Sequence, residues 1–331
     1  MPTIKDVARR AGVSIATVSR TLNKPETVRP DTRGMVQNAI DEMGYRPNGL
    51  AQSMRQQSSR SILAMVPDIA NPFFATIVSA AQVEAAKAGY RILLVNTANI
   101  PVSEDAALAL AETKLVDGIL QLGERQIGLN GWYASNIPVI HMCEGPIGAG
   151  FTTIAIDNVQ AMDDMVTHLI SLGHERFGFV TGPENNRVTR DRTRGAQRAL
   201  DRAGIRVPQH WNSSDSYNID DGERALNEFI SRNVDITAIC CFSDHLAVGA
   251  IAGATRQGMQ VPGDLSISGF DDVQYARHHV PPLTTIAQPQ SELGNIAISS
   301  LFALMEGTAS PADTILPHKL VIRQSAGPAR T

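Results

Sequence analysis

Over residues 61–331, short apolar runs alternate with helix-like stretches, and this alternation leaves the chain few architectures. Strands are expected at Ile62–Val66, Ile92–Val95, Gly118–Leu122, Val139–Met142 and Thr153–Ile156, then at Phe177–Thr181, Ala238–Phe242 and Leu265–Gly269. Between them lie helix candidates Phe73–Ala88, Met162–Leu172, Arg190–Ala203, Asp221–Asn233, His245–Gln257 and Glu292–Met305. Gly89, Gly173, Gly204 and Gly258 follow four of these closely, where a left-handed residue commonly ends a helix. Strands that alternate with helices pair in parallel sheets. With 271 residues available, two such lobes are expected rather than one. In open α/β sheets, ligands sit outside the carboxyl ends of the strands. Those ends read Asp68–Phe74, Gly182–Arg192, Ser243-Asp244 and Phe270-Asp271-Asp272, rich in groups that bond hydroxyls or stack on rings.

Charge separates the first sixty residues from the rest. The 331-residue chain has a net charge of −4, which taken alone argues against nucleic acid. Residues 1–60 hold ten Lys/Arg against five Asp/Glu, whereas the remainder holds 19 against 28, so +5 stands beside −9. Such asymmetry suggests a basic nucleic-acid module joined to an acidic body, although a cluster of solvated charge reads the same way.

Within that basic segment, Thr3-x-x-Asp6 has the spacing of a capping box, and Ile4, Val7, Ala8 and Ala11 share a helical face. Gly12 ends that helix, and Ser14 caps a second one, Ile15 to about Asn23, with Val18 and Leu22 inward. Two short helices about a glycine-containing turn make a helix-turn-helix. A third helix begins near Pro30-Asp31, presents Val36, Ala39, Ile40 and Met43 to a core, and stops at Gly44. A three-helix bundle without a DNA role has the same pattern. Residues Pro47 to Arg60 read as a polar linker, since the nine or so helix-compatible residues from Asn48 to Gln56 are too few to hold a helix alone.

Thr3-Ile4-Lys5-Asp6-Val7-Ala8, Ala11-Gly12-Val13-Ser14, Thr17-Val18-Ser19-Arg20, Leu22-Asn23 and Gly44-Tyr45-Arg46-Pro47-Asn48 together resemble the head of the lactose/galactose-repressor (LacI/GalR) family. The body is similar to the family along nearly its whole length, in Ile62–Phe74, Val116–Gly118, Ile156–Asn158, Leu172–His174, Phe242–Ala250, Val261–Asp271 and Pro281–Pro289. The resemblance implies an α + α/β chain. A three-helix helix-turn-helix head (1–46) and a hinge helix (47–60) precede a two-lobed periplasmic-binding-protein-like body (61–331). Its N-lobe would take about 61–157 plus 290–318, and its C-lobe about 158–287 plus 319–331, with three crossovers.

Position by position, the resemblance places Ile15, Ala16 and Arg20 where bases are read in the major groove. Arginine bonds a guanine edge in bidentate fashion, whereas Ile15 and Ala16 offer shape or contact with a thymine methyl. Ser14, Thr17 and Ser19 would hold phosphates. Thr3, Asn23, Arg29, Tyr45, Asn48, Leu50 and Ala51 are further DNA positions. Met54 stands at the family's leucine wedge, where an apolar side chain opens a base step in the minor groove; a plain linker is the alternative. In the body the match nominates Phe73 and Phe74 as effector-flanking rings, or as core, with Asn71 just upstream. By the same resemblance Arg192 would bond hydroxyl or ring oxygen, Asp271 would accept from hydroxyls, Tyr217 would be an aromatic wall, and Asp244 would lie on another cleft loop. Asn186 and Arg187 compete for one effector-reading position.

Ser243-Asp244-His245 cannot act as a relay, because consecutive side chains diverge. Phosphate loops, nucleophile elbows and dinucleotide fingerprints are missing from the sequence, and His278-His279 and His141-Met142-Cys143 lack metal-ligand spacing. No enzyme activity, cofactor or metal is therefore expected. Asp271-Asp272 fits ligand binding better than a catalytic pair. No window approaches 18 uninterrupted apolar residues and MPTIKDVARRAG lacks a signal-peptide stretch, so a membrane span and export are not expected. Three cysteines fit a reducing compartment. The expectation is a cytoplasmic, nucleoid-associated homodimeric repressor of a pseudo-palindromic operator, released by a nucleoside such as cytidine or adenosine, or by a pentose or other free sugar. The competing class is a sugar- or nucleoside-binding protein without a DNA role.

Overall fold

Polar residues that read as caps sit at helix ends. In the first helix, α1 (Ile4–Ala11), the Asp6 carboxylate accepts from Thr3 N and Thr3 Oγ1 at 2.9 and 2.7 Å, and Gly12 closes the helix at φ 66°. Ser14 Oγ accepts from Thr17 N to start α2 (Ile15–Asn23), and Pro30 opens α3 (Pro30–Met43), which ends at left-handed Gly44. Val7, Ala8, Ala11, Val18, Val36, Ala39 and Ile40 form the core of this three-helix head, with Leu22, Met43 and Tyr45 packed partly against it. A single 3-10 turn, Pro25–Thr27, lies between α2 and α3.

This computed structural model describes residues 2–46, 58–97, 109–110, 113, 115–123, 137–145, 151–206, 211–213, 216–310 and 312–330. The chain divides into two units, residues 1–59 and 60–331.

In the second unit, six strands form a parallel sheet in the order β2-β1-β3-β4-β5-β11: β1 (Ser61–Val66), β2 (Arg91–Asn96), β3 (Gly118–Gln121), β4 (Val139–Met142), β5 (Thr152–Ile156) and β11 (Thr314–Leu316). A second parallel sheet runs β7-β6-β8-β9, from β6 (Phe177–Thr181), β7 (Trp211–Ser213), β8 (Ala238–Cys241) and β9 (Ser266–Ser268). β10 (Thr285–Ala287) and β12 (Lys319–Val321) make an antiparallel pair. Both parallel sheets place their second strand outside the first and their third inside, so each has a topological switch point beside its first strand. The chain passes from one lobe to the other after β5, after β10 and after β11. β7, β10, β11 and β12 are additional to the eight strands expected, and each has only three residues, too short for a periodic signal.

Helices flank the sheets: α4 (Pro72–Lys87), α5 (Asn158–Ser171), α6 (Arg187–Ala203), α7 (Ile219–Ser231), α8 (Asp244–Arg256) and α9 (Gln290–Met305). Two of them, α5 and α6, start four and three residues before the sequence expectation, because their first turns are polar and capped by side chains. Asp157 Oδ1 accepts from Gln160 N and Asn186 Oδ1 from Thr189 N. The helices pair through glycines: a Cβ on Gly249 of α8 would lie 1.8 Å from Ile219 O of α7, and one on Gly222 of α7 2.0 Å from Leu246 O of α8. Gly195 of α6 meets Val159 O of α5 in the same way, and Gly294 of α9 meets Ile77 O of α4. Beside the Gly195 contact, the buried Asp163 carboxylate of α5 is held by Arg198 and Arg202 of α6, whose hydrogen bonds keep it ionised down to about 2.

Backbone carbonyls cannot yield as flexible side chains do. Gly249→Ala is expected to lower stability by about 2 kcal/mol, the overpacking cost exceeding the helix propensity gained. Urea midpoints of the two proteins measure this, and an unchanged midpoint would contradict backbone-to-backbone contact.

Candidate functional site

The head exposes one face of α2. Ile15 is 42% exposed despite being a large aliphatic residue, and Ala16, Arg20 and Asn23 are exposed beside it. Val18 and Thr21, on the opposite side, are buried. Ser14 is exposed, but its hydroxyl already caps the helix and bonds Thr17 Oγ1 at 2.9 Å. Asn23 Nδ2 donates to Ser19 O at 2.8 Å, which tightens the last turn. Thr3 is exposed within its capping box, Arg29 is exposed just before α3, and Tyr45 is half-buried on the head's core. Asn48, Leu50, Ala51 and Met54 lie outside the described residues.

In the second unit a cavity of about 620 Å³ opens at the carboxyl ends of strands from both sheets. Its first side comes from the loop after β1. Asp68 Oδ1 accepts from Ala70 N, Asn71 Oδ1 accepts from Phe73 N, and Pro72 begins α4, so the turn places Phe73 and Phe74 at the cavity. The two rings meet edge to face with centroids 5.1 Å apart, and both are also members of the continuous core.

From the opposite side come Tyr217, Arg192 and Asp271. Tyr217 lies against Gly182, where a Cβ would stand 2.1 Å from its ring, and its hydroxyl bonds Thr189 Oγ1 at 2.7 Å. Arg192 is buried: Nε donates to Asn158 Oδ1 at 2.9 Å, Nη1 donates to Phe242 O, and the guanidinium stacks 3.6 Å from the Phe270 ring centre. Nη2 lies 3.9 Å from Asp271 Oδ1, which also accepts from Gln288 Nε2 at 2.7 Å. Burial pushes the Asp271 carboxyl up to about 7, against the pull of Arg192 in the other direction.

Two nominated residues are placed elsewhere. Asp244 does not line the cavity; its buried carboxyl accepts from Thr285 Oγ1 and Val273 N at 2.6 and 2.8 Å and ties α8 to its neighbours. As the first residue of its helix it points beneath the cavity floor, and burial followed by the charge of Asp271 raises its pKa. Its neighbours Ser243 and His245 do reach the cavity, His245 stacked on Tyr275, so the three consecutive side chains diverge. Arg187 also lies outside the lining, with Nη1 donating to Gly145 O at 2.5 Å and Nε 3.4 Å from Asp191. Asn186 lines the cavity. Glu144, Asn158, His245 and Gln288 line it too, and no motif singled them out as ligand contacts. Among the described residues, no group of three or more His, Cys, Asp or Glu is arranged to hold a metal, and no helix is long and apolar enough to cross a membrane.

Asp271 binds its proton more tightly folded than unfolded, where a carboxyl titrates near 3.9. Its contribution to stability is complete below about pH 4 and is lost as pH rises through about 7. Asp271→Asn is expected to flatten this part of the stability–pH curve, by a few kcal/mol at most. Denaturant midpoints at several pH values between 4 and 8 check it, and identical slopes in both proteins would contradict the assignment.

Residues 3–48 match the family described as bacterial regulatory proteins, lacI family, and residues 166–326 match the periplasmic binding protein-like domain. The HTH-type transcriptional repressor CytR of Escherichia coli (strain K12) is 37% identical over 98% of this chain and 96% of its own. The HTH-type transcriptional repressor PurR of Proteus mirabilis (strain HI4320) is 34% identical over 98% of this chain and 97% of its own. The structure of the Lac repressor dimer bound to operator and the anti-inducer ONPF superposes with a TM-score of 0.87 at 26% identity, covering 98% of this chain and 99% of that one. The head's match leaves no support for a binding protein without a DNA role. With a helix-turn-helix head and a two-lobed α/β body, the chain belongs to the LacI family of DNA-binding transcriptional repressors that respond to small effectors.

Proposed function

We propose that this repressor binds a pseudo-palindromic operator as a homodimer in the bacterial cytoplasm and that a nucleoside in the body's cavity releases it. The observation that carries the effector reading is the pairing of Arg192 with Asp271 opposite Phe73 and Phe74. A donor fork beside an acceptor suits a vicinal diol, and aromatic walls suit a flat base. The same diol chemistry supports a pentose as the second reading. Effector closure of the lobes would act on the hinge with a coupling of typically about 1–3 kcal/mol. On sequence grounds the hinge, with Met54 as its wedge, belongs to this mechanism.

In the head, Arg20 reads a guanine edge while Ile15 and Ala16 contribute shape. Arg20→Ala is expected to cost about 1–3 kcal/mol on the operator and less on random DNA, so the ratio of the two affinities falls. Equal losses on both DNAs would reduce Arg20 to a phosphate contact. Affinity for operator should fall steeply with salt through counterion release, and a fluorescence-anisotropy series from low to physiological salt measures it. No binding at low salt defeats the DNA-binding reading for this chain.

The effector reading is tested by thermal shift with cytidine, adenosine, ribose and other pentoses. A ligand present at 100 times its dissociation constant stabilises by about 2.7 kcal/mol. A shift with pentoses and none with any nucleoside selects the second reading.

A further inference from the structure

Glu144 enters the cavity from the loop after β4, apart from the Arg192–Asp271 pair and the aromatic walls. Its position is set by the backbone. Cys143 has a φ of 61°, in the left-handed region that disfavours a side chain. Cys143 N donates to Ile154 O at 2.9 Å and Glu144 N to Met142 O at 2.6 Å, so the bend is held on both peptide groups. The half-buried carboxylate is braced from the other lobe by Asn186 Nδ2, 3.1 Å from Oε2. Asn186 is itself fixed as the cap of α6, with its Oδ1 accepting from Thr189 N. Next to this contact, Arg187 Nη1 bonds Gly145 O, so two adjacent hydrogen bonds join the β4 loop to the start of α6.

Three groups on the cavity wall differ in kind. Arg192 and Asp271 supply a donor and an acceptor together and take the diol. The rings of Phe73, Phe74 and Tyr217 take a flat face. Glu144 is set apart from both as a side chain that, when ionised, only accepts. Its charge reaches the rest of the cavity, pushing upward on both Asp271 and Tyr217. A ligand group that meets Glu144 is therefore favoured when it donates, whereas a carbonyl there sets one acceptor against another.

We propose that Glu144 is a specificity residue that accepts from an exocyclic amino group of the effector's base, selecting amino-bearing nucleosides from those lacking that donor. This rests on the nucleoside reading.

The test compares ligands that differ only by the amino group: cytidine with pyrimidin-2-one riboside, and adenosine with purine riboside. Dissociation constants are measured by calorimetry on the full chain and on Glu144→Ala and Glu144→Gln. In the unsubstituted protein, losing the amino group should weaken binding roughly tenfold or more for at least one pair. In Glu144→Ala that ratio should collapse towards one, and in Glu144→Gln, a neutral acceptor of the same shape, it should be intermediate. Ligand-free melting curves and operator affinity verify that the variants fold; if the alanine variant does not, the glutamine variant carries the test by the same criterion. A ratio that survives in the folded variants, or one near unity in the original protein, overturns the assignment to Glu144 while leaving the nucleoside reading intact. Failure of all four nucleosides to bind the original protein removes the nucleoside reading and the proposal with it.

Discussion

A single buried guanidinium organises the cavity. Arg192 reaches Asn158 at the start of α5, Phe242 O at the end of β8, and Phe270 and Asp271 beyond β9, segments far apart in the chain. Withdrawing such a charge from water costs several kcal/mol unless the surrounding groups replace its hydration, and here carbonyl oxygens, an aromatic face and a carboxylate do so. The strand ends of the second lobe are thereby held in one arrangement, and the donor fork is preorganised before any ligand arrives. Asp271 shares the burden. Its φ of 117° is a conformation that costs of order 1–3 kcal/mol, and Ile286 O and Gln290 Nε2 hold its peptide there. Strain and charge are concentrated at the wall of the cavity.

Much of the fold was legible because its signals are local. Gly12, Ser14 and Gly44 end or begin helices through their own backbone and side-chain chemistry, and the long strands are short apolar runs bounded by polar loops. What escaped was nonlocal or too brief. The capped first turns of α5 and α6 contain Asn158 and Arg187 in polar sequence, where no apolar period marks a helix. β10 has three residues and gains its meaning from pairing with β12, which lies beyond α9 and β11 in the chain.

The cavity divides along the same line. Asn71, Phe73, Phe74, Arg192, Tyr217 and Asp271 follow strands or lie close to them, and the structure gathers all six around one space. Gln288 follows β10, which had no visible signal, and Asn158 lies in a polar first turn that gave no helical period although the strand before it was visible. Glu144 depends on a left-handed cysteine, which sequence does not announce. Asp244 went the other way: a strand end suggested a cleft residue, but the first position of a helix directs its carboxyl into the protein.

The glycines between paired helices bear on how a message leaves the cavity. At Gly195, Gly222, Gly249 and Gly294 one helix backbone rests on the next with no side chain between, so these layers have little room to compress or slide. Work done by a ligand on either lobe is then poorly absorbed within it. It is passed on to what joins the lobes, the crossings after β5, β10 and β11 and the bonds of Asn186 and Arg187 to the β4 loop. Each lobe is in this sense a stiff lever, and what a ligand changes is left to the joints between them.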